Sequence, residues 1–208
     1  MQGCRAIIAG LLGAGVVLAL TTSAQAQFVV PTSYTATPAQ GQAQGGSFNY
    51  FDDGGVQLTD GILGANDWAA NLGNGNAYEW VGWISVDPTM TFTFSAPVNI
   101  TQVQIGFNRG GGGVNLPTTV TVNGGVTNLT GEEISLGTRG FLNFNTTFTG
   151  NNLIVSLADN NAGSWIFVDE VRFVGAPVAS SAPEPGTLAL LGMGMLGGMV
   201  VLKKRRHA

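Results

Sequence analysis

From about residue 90 to residue 173, apolar side chains return at every second position, and clusters of glycine and asparagine interrupt the runs. Met90, Phe92 and Phe94 alternate with threonines and Ser95; Val103, Ile105 and Phe107 alternate with Gln102, Gln104 and Gly106. Val120 and Val122, then Phe144, Thr146 and Phe148, then Leu153, Val155 and Leu157 continue the pattern. The last run is Trp165, Phe167, Asp169, Val171, Phe173. A period of two sends successive side chains to opposite faces of an extended chain, so each run reads as a half-buried strand. Gly110 to Gly113, Asn123-Gly124-Gly125, Thr130-Gly131 and Thr149-Gly150-Asn151-Asn152 supply turn residues between them. No segment carries a convincing helical period. Short strands at this spacing predict an all-β domain, an antiparallel β-sandwich.

The two ends obey different rules. Arg5, the apolar stretch Ala6 to Leu20 and the small residues Ala24 and Ala26 around Gln25 have the three parts of a signal peptide, predicted over 1–26 with cleavage after Ala26. The single cysteine, Cys4, falls inside that peptide, so the mature chain has no disulfide and depends on a packed core. At the other end, Pro183, Glu184 and Pro185 precede an uncharged apolar run, 186–202, and the basic cluster Lys203, Lys204, Arg205, Arg206. As a helix the run would cover roughly 26 Å, slightly under a bilayer core, and the basic side chains can snorkel to make up the difference. Basic residues stay on the cytoplasmic side, which predicts that everything before Pro183 lies outside the cytoplasm. The expected organisation is a signal peptide (1–26), a β-sandwich (27–175), a small-residue linker (176–182) and a tail (183–206).

That tail resembles the PEP-CTERM sorting domain of Gram-negative bacteria that make extracellular polysaccharide. The resemblance rests on the order of Pro183-Glu184-Pro185, a Gly- and Leu-rich span and a terminal Lys/Arg cluster. It implies that an exosortase, a membrane protease-transpeptidase, cuts near the motif and passes the protein from the inner membrane to the cell surface or matrix.

Composition narrows the role of the middle segment. Between Gln27 and Ala182 stand three arginines (Arg109, Arg139, Arg172) and eleven acids, leaving that segment at −8. Three scattered arginines are too few to neutralise a nucleic-acid backbone. Neutral glycans or divalent cations suit such a surface better. The one histidine, His207, lies beyond the apolar run, and the segment has no cysteine or lysine. Ser-His-Asp and Cys-His catalysis, Schiff-base chemistry and His- or Cys-ligated zinc are thereby excluded. Carboxylate-pair glycoside hydrolysis stays open, with Glu79 and Asp67 as the local pair to inspect.

Four segments occur in a recognisable order: Leu58-Thr59-Asp60-Gly61, Trp80-Val81-Gly82-Trp83, Val98 to Val103, and Trp165 to Phe173. Together they resemble a galactose-binding-like (discoidin-type) jelly roll, a family with many carbohydrate-binding modules. The resemblance implies a structural Ca²⁺ where an early loop meets the closing strand, with Asp60 and Glu170 as carboxylate ligands and backbone carbonyls near Asp60 and Asn66 completing the shell. The other reading makes Asp60 a turn residue and leaves Glu170 solvated or paired with Arg172. Sugar recognition needs a flat aromatic beside planar polar groups. Trp68, Tyr78, Trp80 and Trp83 are the candidates, with Trp68 in a Gly/Asn loop expected to be exposed; the other reading has these tryptophans plug the ends of the sandwich. Trp80 and Trp83 have opposite parity, so one is expected in the core and the other outward or under a loop. Trp165, in phase with Phe167, Val171 and Phe173, is expected in the core. The functional expectation is a non-catalytic, glycan-binding or adhesive surface module. The alternatives are a purely structural matrix protein and a small glycoside-active enzyme.

Overall fold

The computed structural model describes residues 27–39, 42–43, 46–47, 50–52, 54–66, 68, 79–159 and 163–179. The predicted signal peptide, its cleavage residues Ala24 and Ala26, the motif Pro183 to Pro185, the apolar run and the basic cluster all lie outside these residues. Among the described residues no helix is long and apolar enough to cross a membrane.

The strands are β1 (Gln27–Val29), β2 (Ser33–Thr37), β3 (Gln42–Ala43), β4 (Gly46–Ser47), β5 (Val81–Ile84), β6 (Thr89–Arg109), β7 (Thr119–Val122), β8 (Gly125–Asn128), β9 (Thr138–Ala158) and β10 (Trp165–Pro177). One 3-10 turn, Gln57–Thr59, is the described helical element. All pairings are antiparallel except a single β3–β5 contact.

Two strands are far longer than the sequence pattern suggests. β6 runs unbroken through what reads as two separate strands, and β9 does the same opposite it. Their register shifts between Thr93 and Val98. Pro97, which has no N–H to give a ladder, sits inside that break, where its missing donor costs least. The first part of β6 pairs with β2 and with the end of β9, which continues to β7 and β8. The second part pairs with β10, whose other edge takes β5 and then β1. The bent β6/β9 pair therefore belongs to both layers of an antiparallel β-sandwich.

The layers meet through their apolar faces. Phe92 and Phe94 of the second layer (β2, β7, β8 and the adjoining parts of β6 and β9) pack edge-on against Phe173 of the first (β1, β5, β10 and the remaining parts of β6 and β9), with ring centroids 4.9 and 5.3 Å apart. Met90, Val103, Ile105, Phe107, Val155, Val171 and Trp83 fill the same core. Burying a side chain of this size contributes about 1.5–3 kcal/mol. The segment between Thr37 and Ser47, which reads as an irregular loop, includes the two-residue strands β3 and β4.

One expectation about β10 fails at a β-bulge. Its register against β6 shifts between Val168 and Glu170. Ahead of the shift, Ile166 and Val168 face the main core while Phe167 faces away; after it, Val171 and Phe173 face the core. Trp165 is therefore not in phase with Val171 and Phe173. It is half-buried on the opposite face, 5.4 Å from Phe167 between ring centroids. An extra residue in one strand moves everything beyond it to the other face.

A carboxylate and aromatic layer outside the first sheet

The face that β10 turns away from the main core is covered by the segment 50–68. Asp52 shapes this cover by accepting the N–H groups of Gly54, Gly55 and Gln57 at 3.0, 2.7 and 2.9 Å and the Tyr34 hydroxyl. Beneath it lies a second apolar cluster of Tyr50, Trp80, Val114 and Phe167, with Trp68 and Trp165 at its edge. Trp80 is 0% exposed and stacks on Phe167 at 6.2 Å, while Trp83 is 0% exposed in the main core. Parity thus sends them to opposite faces as expected, but both faces are covered and neither ring is exposed. Trp80 fits because Gly64 lies on its indole: a Cβ there would stand 2.3 Å from the ring.

Trp68 is half-buried rather than an open platform. Its ring meets Tyr50 and Phe167 edge-on at 6.4 and 5.6 Å, and its Nε1 donates to the Gly111 carbonyl at 3.1 Å. Tyr78 lies outside the described residues, as does Asp67, the proposed partner of Glu79. Glu79 is half-buried just ahead of Trp80.

The bulge in β10 places two consecutive carboxylates, Asp169 and Glu170, on this covered face. Asp169, 0% exposed, accepts two hydrogen bonds from Arg139, through Nε and through Nη2 at 3.1 Å, and one from the Gly64 N–H at 2.8 Å. Burial pushes its carboxyl above the usual range, and Arg139 and the Gly64 N–H pull it back. Gly106 makes room for the pair, since a Cβ there would stand 2.0 Å from Asp169 Oδ1.

Glu170, 4% exposed, accepts the Gly61 N–H through Oε2 at 3.0 Å and lies 3.7 Å from Arg172 Nε through Oε1. The Asp60 loop and the closing strand thus come together, as the resemblance to a galactose-binding-like jelly roll implied. Burial pushes the Glu170 carboxyl up to about 7; Gly61 and Arg172 oppose this, while the negative charges of Asp60 and Asp169 add to it. Asp60 itself is exposed, and its Oδ1 accepts the Ile62 N–H at 2.8 Å. That bond is the local turn role, and it leaves Oδ2 for another partner.

These groups line a cavity of about 390 Å³ that includes Phe28, Pro31, Thr59, Asp60, Glu170 and Arg172. Among the described residues, no three acidic, histidine or cysteine side chains converge on a cation site. Calcium here would rely on the two carboxylates and on backbone oxygens. The Asn66 carbonyl is bound instead to Asn108 Nδ2 at 2.8 Å, away from the cavity. Burial first, and then the charges of Asp60 and Asp169, raise the Glu170 carboxyl, and two carboxylates at one junction are a setting that a divalent cation would relieve.

Sequence reasoning offered the Glu170–Arg172 pair as one of two readings and missed Phe28, Arg139 and the Asp169 pairing. The available signal was the strand itself: both parities are apolar from Trp165 to Val168, and then two acids, Asp169 and Glu170, and Arg172 interrupt the run.

The family model of the PEP-CTERM protein-sorting motif matches residues 181–206. That motif marks an exported protein and implies processing by an exosortase. No curated protein matches the chain. Among solved structures, the chain is similar to the C-terminal domain of a chitobiase from Bacteroides fragilis, at 15% identity and TM-score 0.46, over 74% of this chain and 100% of that one. It is also similar to a fucose binding module from Streptococcus pneumoniae, at 13% identity and TM-score 0.45, over 71% and 96% of the two chains. A fucolectin from striped bass (Morone saxatilis) serum gives 16% identity and TM-score 0.45, over 72% and 48%.

Proposed function

We propose that the chain is a surface or matrix protein of a polysaccharide-producing cell, delivered by its tail and holding extracellular glycan through a non-catalytic β-sandwich. In this reading the leader is removed after Ala26, and the apolar run 186–202 holds the precursor in the inner membrane with the sandwich outside. The exosortase then cuts near Pro183-Glu184-Pro185. The observation that carries the reading is the sorting motif at residues 181–206. A domain without histidine, cysteine or lysine, at −8, supports a binding role over catalysis. A structural Ca²⁺ at Asp60 and Glu170 belongs to the same proposal, joining the loop to the last strand.

The packing of Trp68 and Trp80 into the second cluster favours a second reading, a matrix scaffold without specific sugar binding. Replacing Pro183, Glu184 and Pro185 by alanine tests delivery. Uncut protein bearing its terminal arginines is expected to accumulate in the inner membrane, and normal surface release of that variant overturns the sorting role.

A further inference from the structure

We propose that the outer face of β10, β6 and β9 is a platform for an uncharged polysaccharide chain, a proposal that rests on the glycan-binding reading above. The register builds three rows across these strands. Val174, Gln102 and Asn145 form one; Arg172, Gln104 and Asn143 the next; Glu170, Gly106 and Phe141 the third. Val103, Ile105, Val171, Phe173 and Phe144 point to the main core, so the intervening residues of the rows lie on the other face, where Glu170 and Gly106 are buried and the rest are half-buried or exposed. β1 adds Phe28, paired with Val174 and 56% exposed.

These side chains are flat and held in place. Gln104 Nε2 donates to Gln102 Oε1 at 3.0 Å, and Gln102 Nε2 donates to Asn145 Oδ1 at 3.0 Å. The amides thus form an oriented line that ends in an acceptor, Gln104 Oε1, and a donor, Asn145 Nδ2. Beside it, the Phe141 ring lies between the guanidiniums of Arg139 and Arg172, 4.2 and 4.6 Å from its centroid, and Arg172 is 5.7 Å from the centroid of Phe28.

Charge selects the occupant. Arg139 is neutralised by Asp169 and Arg172 faces Glu170, so this face is balanced within a domain that is otherwise strongly acidic. Acidic polymers are repelled by the rest of the domain, and the platform offers them no spare cation. Paired donors and acceptors beside the exposed Phe28 ring match the vicinal hydroxyls and C–H faces of neutral sugars. Four strands at about 4.8 Å spacing give a width of roughly 14 Å, which suits an oligosaccharide rather than one ring. The opposite outer face shows what a merely solvated strand surface looks like here. Ser33, Thr35 and Thr37 pair there with Thr93, Thr91 and Thr89, rows of β-formers with no aromatic or guanidinium among them.

The test uses the full chain in mild detergent, pelleted with cellulose, chitin and galactomannan gel as neutral probes and with calcium alginate beads as the anionic one. Wild type is expected to bind at least one neutral probe. Gln102→Ala/Gln104→Ala and, separately, Asn143→Glu are expected to weaken that binding tenfold or more with unchanged urea midpoints. If wild type binds and both variants bind equally well, the platform is refuted while the glycan-binding reading stands. If wild type binds no probe, or alginate alone, both fall. Concentration-dependent self-association lost in the same variants would assign the face to a second copy and overturn the proposal.

Discussion

Arg139 and Asp169 form an ion pair across the outer face of the first sheet, and the carboxylate has no exposed surface. The Gly64 N–H completes its shell, so this one group ties β9, β10 and the covering segment together. Removing one partner leaves an uncompensated buried charge, which costs about 3–5 kcal/mol. Asp169→Ala is expected to lose that much in urea unfolding. Arg139→Met/Asp169→Leu is expected to recover most of it, because the double change removes both charges. Equal losses in the single and double variants would show that the pair's charge is not what matters.

Glu170 gives the domain a pH dependence of defined sign. Its folded carboxyl is raised to about 7 from an ordinary 4.5, so the folded chain binds this proton more tightly than the unfolded one. The associated stability is fully present below about pH 4.5 and is lost as pH rises through about 7. Wild type is therefore expected to lose more stability than Glu170→Gln between those limits. Parallel pH profiles from urea titrations of the two proteins would contradict this.

The proposed calcium would act at the same junction. If Asp60 and Glu170 hold the ion, saturating Ca²⁺ at a hundredfold excess over its dissociation constant stabilises by about 2.7 kcal/mol. For a domain of this size the melting temperature is expected to rise by roughly 5–10 °C. Asp60→Asn is expected to abolish the rise. An unchanged melting temperature in wild type removes the metal from the account.

Trp68 separates packing from recognition. Its contacts with Tyr50 and Phe167 predict that Trp68→Ala costs about 2–3 kcal/mol, below the loss for a fully buried tryptophan. Retention by neutral polysaccharide is expected to survive the change. Loss of that retention at full stability would move the sugar contact back to this loop.

Much of the sandwich is legible in the sequence because half-buried strands write their faces at a period of two. Phe92, Ile105, Val120 and Phe173 all stand in the core where that period puts them. The meeting of the Asp60 loop with Glu170 came from the resemblance to a galactose-binding-like jelly roll, not from the period. Two things came from neither. The bulge before Glu170 adds one residue and changes the face of Trp165, and the acid pair that marks the place does not say that the register shifts there. The covering of a second face was hidden because Trp80 and Trp68 are buried by contacts distant in sequence. Gly64 and Gly110, not the tryptophans themselves, decide that burial, and a glycine next to a loop gives no hint of which ring will lie on it.

β10 is bonded along both edges, to β6 on one side and to β5 and then β1 on the other, and it is the last described strand before the tail. Tension applied beyond Pro177 therefore runs lengthwise into the interior of a sheet. Its ladder must yield in shear, many bonds at once, where a strand at the rim would peel away singly. Among the described strands, β10 is thereby the one held to resist a pull from its C-terminal end.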